Sequence, residues 1–127
     1  VQGQNLAALW KGEETPSRRR WYYSTCNDHP QQTAMITDGR EKYIYSEARG
    51  GVEEYYDLRE DPGELQNRAS DPRWAGRVAE LRRELIRTAR ELGDDLLLDG
   101  DRLGTSTAFS DDPAQYRIRG PLGWRWY

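Results

Sequence analysis

The strongest constraint on the fold is a helical pattern that runs from Pro72 to Leu92. Asp71 can cap its start, Pro72 suits the first helical position, and Gly93 is typical of a left-handed cap at its end. One face is apolar at steps of three and four residues: Trp74, Val78, Leu81, Leu85, Ala89 and Leu92. Because the opposite face is charged, we expect one amphipathic helix that lies on a sheet.

Short β-prone segments precede the helix. They are bounded by turn residues and cover residues 21–25, 33–37, 42–46 and 52–58. A tight hairpin is expected at Asp38-Gly39, whose two central positions need positive φ. The two-residue period of a strand puts Tyr43 and Tyr45 on one face and Ile44 on the other. A short helix or turn is expected over residues 5–11. The predicted class is α+β, a meander of about four antiparallel strands whose core includes Trp74, Val78, Leu81, Leu85, Ile44 and Leu58.

The composition restricts the chain to a small set of function classes. With 127 residues it forms at most one domain, and its net charge of −3 gives no general attraction to nucleic acid or membranes. The longest apolar run, Leu96-Leu97-Leu98, is too short for a transmembrane helix. Cys26 is the only cysteine, which excludes an internal disulfide and a Cys-rich zinc site. We therefore expect no nucleic-acid partner and no membrane partner. No targeting peptide is visible, so no compartment is predicted.

Three local groups of residues could carry chemistry, and each has a simpler interpretation. Cys26 and His29 could form a nucleophile–base pair oriented by Asp28, but such pairs usually come from distant segments. Arg18-Arg19-Arg20 before Trp21-Tyr22-Tyr23 mixes phosphate-pairing and base-stacking types, although aromatic residues in a strand serve a core better. A further group lacks the spacing of a calcium loop and is interpreted as a solvated loop: Asp94, Asp95, Asp99 and Asp101.

A longer motif resembles a known family. It consists of Lys42-Tyr43-Ile44-Tyr45, then Glu54-Tyr55-Tyr56-Asp57-Leu58, Asp61-Pro62-Gly63-Glu64, Asn67 and Asp71-Pro72. This run resembles the C-terminal subdomain of type I sulfatases, in the alkaline-phosphatase-like superfamily. Gly3-Gln4-Asn5-Leu6 is similar to the stretch that leads into that subdomain, so the resemblance covers residues 3–95. Two departures stand out: Tyr55-Tyr56 replaces the usual Leu-Tyr or Leu-Phe, and Arg68 replaces a usual Leu.

The resemblance implies where the chemistry of such an enzyme lies. A sulfatase uses a formylglycine, made from the Cys or Ser of a C/S-x-P-x-R motif, and a calcium ion held by Asp and Asn side chains. Calcium and formylglycine are both expected in the parent enzyme's N-terminal domain. Here Cys26 is followed by Asn27-Asp28-His29, so the motif is absent, and we expect no catalytic residue, metal ligand or cofactor in this chain. Val1 in place of an initial Met fits a piece cut from a longer chain.

The expected role is that of an accessory subdomain. Residues 1–93 correspond to the sulfatase C-terminal subdomain, with the sheet at about 21–58 and the helix at about 72–92, and residues 94–127 to an irregular tail. His29, the only histidine, lies where some bacterial relatives carry a Gly-Glu-His motif. The resemblance thus makes it the candidate substrate-binding residue, and an exposed loop histidine is the simpler interpretation.

The expected partner is the N-terminal catalytic domain of the parent, which would hydrolyse a sulfate ester. A second copy is a further expected partner, through an exposed aromatic face or the tail Trp124-Arg125-Trp126-Tyr127. Two alternatives stay open: a subdomain of a phosphonate or phosphate ester hydrolase of the same superfamily, and a free-standing interaction module that has lost catalysis. A C/S-x-P-x-R motif upstream would favour formylglycine chemistry.

Overall fold

The fold is a four-stranded antiparallel sheet with one long helix, as the sequence predicted. The computed structural model describes residues 7–13, 20–26 and 32–107. A four-residue helix comes first, where a short helix or turn was expected. The strands follow in the order β1-β2-β3-β4, each paired with its neighbour in sequence. The elements up to the sheet are α1 (Ala7–Trp10), β1 (Tyr22–Cys26), β2 (Thr33–Thr37), β3 (Glu41–Ser46) and β4 (Val52–Asp57).

The turn between β2 and β3 differs from the tight hairpin that the sequence predicted. Thr37 pairs with Lys42, so four residues lie between the paired positions. Gly39 has φ of 84°, but Asp38 does not adopt positive φ. Instead the Asp38 carboxylate accepts the backbone N–H groups of Arg40 at 2.8 Å and Glu41 at 3.0 Å. The two-residue turn was therefore wrong, because this side chain stabilises a wider loop.

The long helix begins and ends where its local signals place it. A 3₁₀ turn, Pro72–Trp74, leads into α2 (Ala75–Leu92). The Asp71 side chain accepts the Arg73 N–H at 3.0 Å and caps the start. Gly93 ends α2 in the left-handed conformation, with φ of 72°. Both predicted caps are confirmed.

The core lies between α2 and the sheet face that carries Tyr43, Tyr45 and Tyr55, which we call the inner face. Four residues of α2 are buried there, and three of them were predicted: Val78, Leu81, Leu85 and Ala89. Trp74 is partly buried and packs against the same core. The sheet side of the core consists of Trp21, just before β1, and the strand residues Ala34, Ile36, Tyr43, Tyr45 and Tyr55.

The predicted core positions of Ile44 and Leu58 were wrong. Both side chains are partly exposed and lie outside the core cluster. The alternation along β3 was right, but α2 covers the side of Tyr43 and Tyr45. Tyrosine satisfies this position because its ring is apolar while its hydroxyl reaches polar partners at the rim of the core.

The family motif closes the free edge of β4. The Asn67 amide accepts the Tyr55 N–H at 3.1 Å and donates to the Glu53 carbonyl at 3.1 Å. Arg68, the departure from the usual Leu, makes a cation–π contact, with its guanidinium 5.5 Å from the Trp74 ring centroid. It also pairs with Glu60 at 3.0 Å. These residues shape the fold, as their turn chemistry predicted.

The chain after Gly93 is partly regular. A 3₁₀ turn, Asp95–Leu97, precedes a small hairpin of β5 (Leu98–Asp99) and β6 (Arg102–Leu103). Leu97 and Leu103 are buried and complete the core. The rest of the predicted tail, residues 108–127, lies outside the described residues. In the described part of the chain, no helix has the length and apolar character that crossing a membrane requires.

Candidate functional site

The predicted substrate-binding residue, His29, lies outside the described residues. The structure does define both ends of its loop. Cys26 is the last residue of β1, it is exposed, and it pairs across the sheet with Thr33 of β2. The loop therefore leaves the sheet at the end where α2 finishes and the β5–β6 hairpin begins. The Cys26–His29 pair, which the sequence pattern does not favour, involves a residue outside the described ranges.

Three side chains hold the far end of this loop in place. Gln32 is buried and donates its side-chain N–H₂ to the Asp94 carboxylate at 3.1 and 3.2 Å. The Tyr23 hydroxyl donates to the same carboxylate at 2.6 Å. Burial and this hydrogen bond raise the pKa of Tyr23 far above its ordinary value, so the hydroxyl remains a donor at physiological pH. The first strand, the loop and the end of α2 are thereby joined.

A buried carboxylate extends this arrangement toward the C-terminal segment. Glu47 is 1% exposed and accepts the Gln32 backbone N–H at 3.1 Å. Its own backbone N–H donates to the Gln32 carbonyl at 3.0 Å, and its carbonyl accepts from Ser106 at 2.8 Å. A Cβ at Gly104 would stand 3.0 Å from the Glu47 carboxylate, so a side chain there would crowd it. We call Tyr23, Gln32, Glu47 and Asp94 the loop-end cluster.

The sequence singled out one member of this cluster for a different reason. Asp94 belonged to the acidic group interpreted as a solvated loop, whereas the structure makes it a hydrogen-bond acceptor for two side chains. Asp101 is exposed and pairs with Arg90 at 2.5 Å. Gln32 and Glu47 were missed, because no local pattern shows that residues far apart in sequence meet at one end of a sheet.

The described acidic residues do not offer a calcium site. Among residues 7–13, 20–26 and 32–107, no group of three or more His, Cys, Asp or Glu side chains is placed to hold a metal ion. The Asp61 carboxylate accepts two backbone N–H groups, which lower its pKa, and Asp57 pairs with Arg59. These oxygens are already engaged with protein donors, so their function is to shape turns.

A surface groove of about 520 Å³ lies between β1 and the C-terminal half of α2. Arg20, whose guanidinium is 5.6 Å from the Trp21 ring centroid, lines it with Arg87. Arg87 is already paired with Glu84 at 2.5 Å and with Glu91. Trp21 is buried and Tyr23 packs against the core, as expected for strand aromatics. One of the two arginines of the groove is thus already paired with carboxylates, which leaves little net positive charge to attract a phosphate backbone.

The sheet face away from α2, which we call the outer face, is a second candidate surface. Cross-strand pairing places Ser24, Met35, Ile44 and Glu54 in one row across all four strands. A parallel row consists of Tyr22, Thr37, Lys42 and Tyr56. Met35 and Ile44 are partly exposed at the centre, and Tyr22 is 60% exposed at the edge. Apolar side chains in the middle of this face make it a candidate interaction surface.

Comparison with known proteins identifies where such a fold occurs. No family model matches the chain. The Δ4,5-hexuronate-2-O-sulfatase of Bacteroides thetaiotaomicron is 33% identical over 85 residues, which are 63% of this chain and 17% of that protein. The solved structure of a 2-O GAG sulfatase superposes with a TM-score of 0.68 and 30% identity, covering 74% of this chain and 21% of that chain. These matches confirm the resemblance to a subdomain of sulfatases.

Two further solved structures share the fold of the subdomain. One was solved with its substrate D-glucosamine-2-N,6-O-disulfate and gives a TM-score of 0.63 at 25% identity, over 79% of this chain and 21% of that one. The other, the phosphonate monoester hydrolase of Agrobacterium radiobacter, gives 0.59 at 24% identity, over 70% and 20%. At that identity only the fold is shared. The subdomain spans about a fifth of the length of the proteins it matches, from 17% to 21%.

Proposed function

We propose that this chain is the accessory C-terminal subdomain of a sulfatase, whose catalytic α/β domain hydrolyses a sulfate monoester. The observation that carries this proposal is a sequence and fold match to sulfatases that extends over only a fifth of their length, 17% and 21%. The phosphonate hydrolase shares the fold at lower identity, 24% against 30% and 33%. Sulfate chemistry is therefore favoured. The formylglycine and calcium of such an enzyme would belong to the catalytic domain.

The outer face is the surface that would dock on the catalytic domain. Two features support this assignment. Met35 and Ile44 lie partly exposed at its centre. The charge of Lys42 at its border is balanced by Glu64, 2.5 Å away, so burial there would not isolate the lysine charge. Docking would cover the apolar centre, which the isolated chain leaves accessible.

The second proposed contribution is the loop that carries His29. The loop-end cluster anchors this loop through Gln32 and Asp94, so its far end has a defined position. At the border of the substrate pocket, His29 would donate a hydrogen bond to the sulfate or to the leaving oxygen. Protonation near the ordinary histidine pKa of ~6.5 would add attraction to the anion.

Steady-state kinetics of the full-length parent test the role of His29. In His29→Ala we expect kcat/KM for a sulfate ester to fall about tenfold or more, because a hydrogen bond in the transition state is lost. Thr25→Ala, an exposed position at the end of β1, serves as the matched control and should keep wild-type kinetics. A wild-type kcat/KM in His29→Ala would remove this residue from the site.

Assays of the isolated chain test the accessory role itself. With an aryl sulfate and calcium, it should show no turnover above the uncatalysed rate. Turnover that survives purification and disappears in Cys26→Ala would contradict the proposal.

The accessible outer face of the isolated chain should promote self-association, visible as concentration-dependent sedimentation. The parent should also prefer a sulfate ester over the matching phosphonate ester, and the reverse preference would favour the phosphonate hydrolase alternative.

A further inference from the structure

One apolar side chain projects from the turn that follows β4. Leu65 is 85% exposed. A single exposed leucine is ordinary on a protein surface. Leu65 differs because the backbone that presents it is both strained and firmly held. Glu64, the residue before it, has φ of 54°, and within the described ranges it is the only non-glycine residue with positive φ. L-residues adopt this conformation at a conformational cost.

Two sets of contacts maintain that conformation. The Asp61 carboxylate accepts the N–H of Leu65 at 3.0 Å and that of Gln66 at 2.8 Å. The Glu64 side chain pairs with Lys42 at 2.5 Å. The turn therefore keeps the Leu65 side chain in solvent, although Glu64 must adopt a strained backbone conformation to do so.

This turn is continuous with the outer face. Lys42, which holds Glu64, lies opposite Tyr56 in the outer-face row that ends at Tyr22. Leu65 thus adds an apolar projection to the border of a face whose centre is Met35 and Ile44. The Lys42–Glu64 pair leaves no net charge between the projection and the face. An apolar projection held in a fixed position beside a partly apolar face can fill a pocket on a partner and anchor the interface.

We propose that Leu65 is the anchor through which the outer face docks on the catalytic α/β domain, where it fills an apolar pocket. This inference rests on the proposed function. The catalytic domain is the favoured occupant because the matched sulfatases are about five times as long as the matched region, which covers 17% to 21% of them. A second copy of the chain is the competing occupant. It would place two identical projections on one symmetric interface.

Met35 is a built-in reporter for this interface. It is the only methionine of the chain and it lies in the central row of the outer face. Hydroxyl-radical footprinting measures its oxidation to the sulfoxide, which depends on solvent access. In the wild-type full-length parent, Met35 should oxidise several-fold more slowly than in the isolated chain at low concentration. Equal rates would contradict docking, and with it the proposed function.

The anchor itself is tested by a variant and its control in the full-length parent. Leu65→Ala should raise the Met35 oxidation rate by at least about threefold, because the docked state loses its anchor. Leu96→Ala truncates another leucine, 63% exposed, at the opposite end of the sheet, and should leave the rate unchanged. Leu65→Met should restore protection, since it keeps the apolar volume. Its own sulfoxide is separated from that of Met35 by peptide mapping.

Three results would overturn the anchor. One is protection of Met35 in Leu65→Ala equal to that in wild type. Another is an equal loss of protection in Leu96→Ala. The third is protection that appears in the isolated chain only at high concentration and disappears in Leu65→Ala, which would assign the projection to a second copy instead. In the first two cases wild-type docking can still hold, so failure of the anchor is distinguishable from failure of the proposed function.

Discussion

The two faces of the sheet use the same four strands in different ways. On the inner face, Tyr43 and Tyr55 are almost fully buried, and their hydroxyls donate to Glu53 at 2.5 Å and to Glu41 at 3.2 Å. These carboxylates in turn pair with Arg82 and Arg77 of α2. On the outer face, Met35 and Ile44 alternate with polar residues and stay partly exposed. The helix covers the inner face within this chain, whereas the outer face keeps partly exposed apolar side chains.

The two faces differ in how their polar groups are satisfied. At the rim of the inner face, tyrosine–carboxylate–arginine contacts surround the apolar core. They provide hydrogen-bond acceptors for the hydroxyls of Tyr43 and Tyr55. Burial and the Glu41 charge raise the pKa of Tyr55 to about 12, so its hydroxyl remains a donor. The outer face has no comparable rim at its centre. Its side chains are therefore available to a partner.

The largest expected effect belongs to the inner face. Leu81 is 1% exposed at the centre of α2, so Leu81→Ala should lower the free energy of unfolding by ~2–5 kcal/mol through lost burial and a cavity. Urea denaturation of the isolated chain measures it. Leu96→Ala is the exposed control and should cost about 0.5 kcal/mol or less. Equal losses in the two variants would mean that α2 does not cover this core.

The next largest loss of stability is expected at Gly51, which packs against Tyr45 at the end of the inner face. At Gly51, φ is 94° and a Cβ would stand 2.6 Å from the Tyr45 hydroxyl. Gly51→Ala should therefore cost more than the ~1–3 kcal/mol of strain alone, because Tyr45 must leave its hydrogen bond to the Gly104 carbonyl. Gly50→Ala, with φ of 82° and open space, isolates the strain. Thermal unfolding that ranks Gly50→Ala as the more damaging variant would contradict this packing.

A smaller effect is expected at the rim, and it depends on pH. Burial opposes the charge of Glu53, but hydrogen bonds from Arg82 and Tyr43 outweigh it and lower the carboxyl pKa. A lowered folded-state pKa stabilises the fold above the ordinary glutamate value, and this stabilisation is lost as the pH falls through the folded-state value. Glu53→Gln should cost about 1 kcal/mol at pH 7, since the pair is partly solvated, and almost nothing in strong acid.

Denaturation of wild type and Glu53→Gln at several pH values gives this difference directly. Glu60→Gln removes another arginine partner, but its side chain is 63% exposed, so the difference from wild type should be near zero at every pH. If the stability difference between wild type and Glu53→Gln grew in acid, the pKa of Glu53 would be raised by folding and not lowered.

The smallest effect belongs to the outer face. In the isolated chain, Ile44→Ala should cost about 1 kcal/mol or less, because the side chain is partly exposed before unfolding. Comparison with Leu81→Ala in the same urea series sharpens the contrast between the faces. A loss as large as that of Leu81→Ala would show that the outer face is already covered within this chain.

Several parts of this molecule were readable from local sequence. The bounds of α2 follow from Asp71, Pro72 and Gly93, because caps act within one turn of the residues that form them. The alternation of Tyr43, Ile44 and Tyr45 follows from the period of a strand. The family motif was also readable, because Asp61 and Asn67 bond backbone groups near them in sequence or on the neighbouring edge.

Other features were decided only when the elements packed. Alternation divides a strand into two faces but does not say which one a helix covers, and this is why Ile44 was misplaced in the core. The Asp38 turn depends on where a side chain finds backbone donors. In the loop-end cluster, Tyr23 and Asp94 meet across 71 positions of the chain. No local pattern encodes such a meeting, because the position of each partner is determined by the packing of the whole sheet and helix.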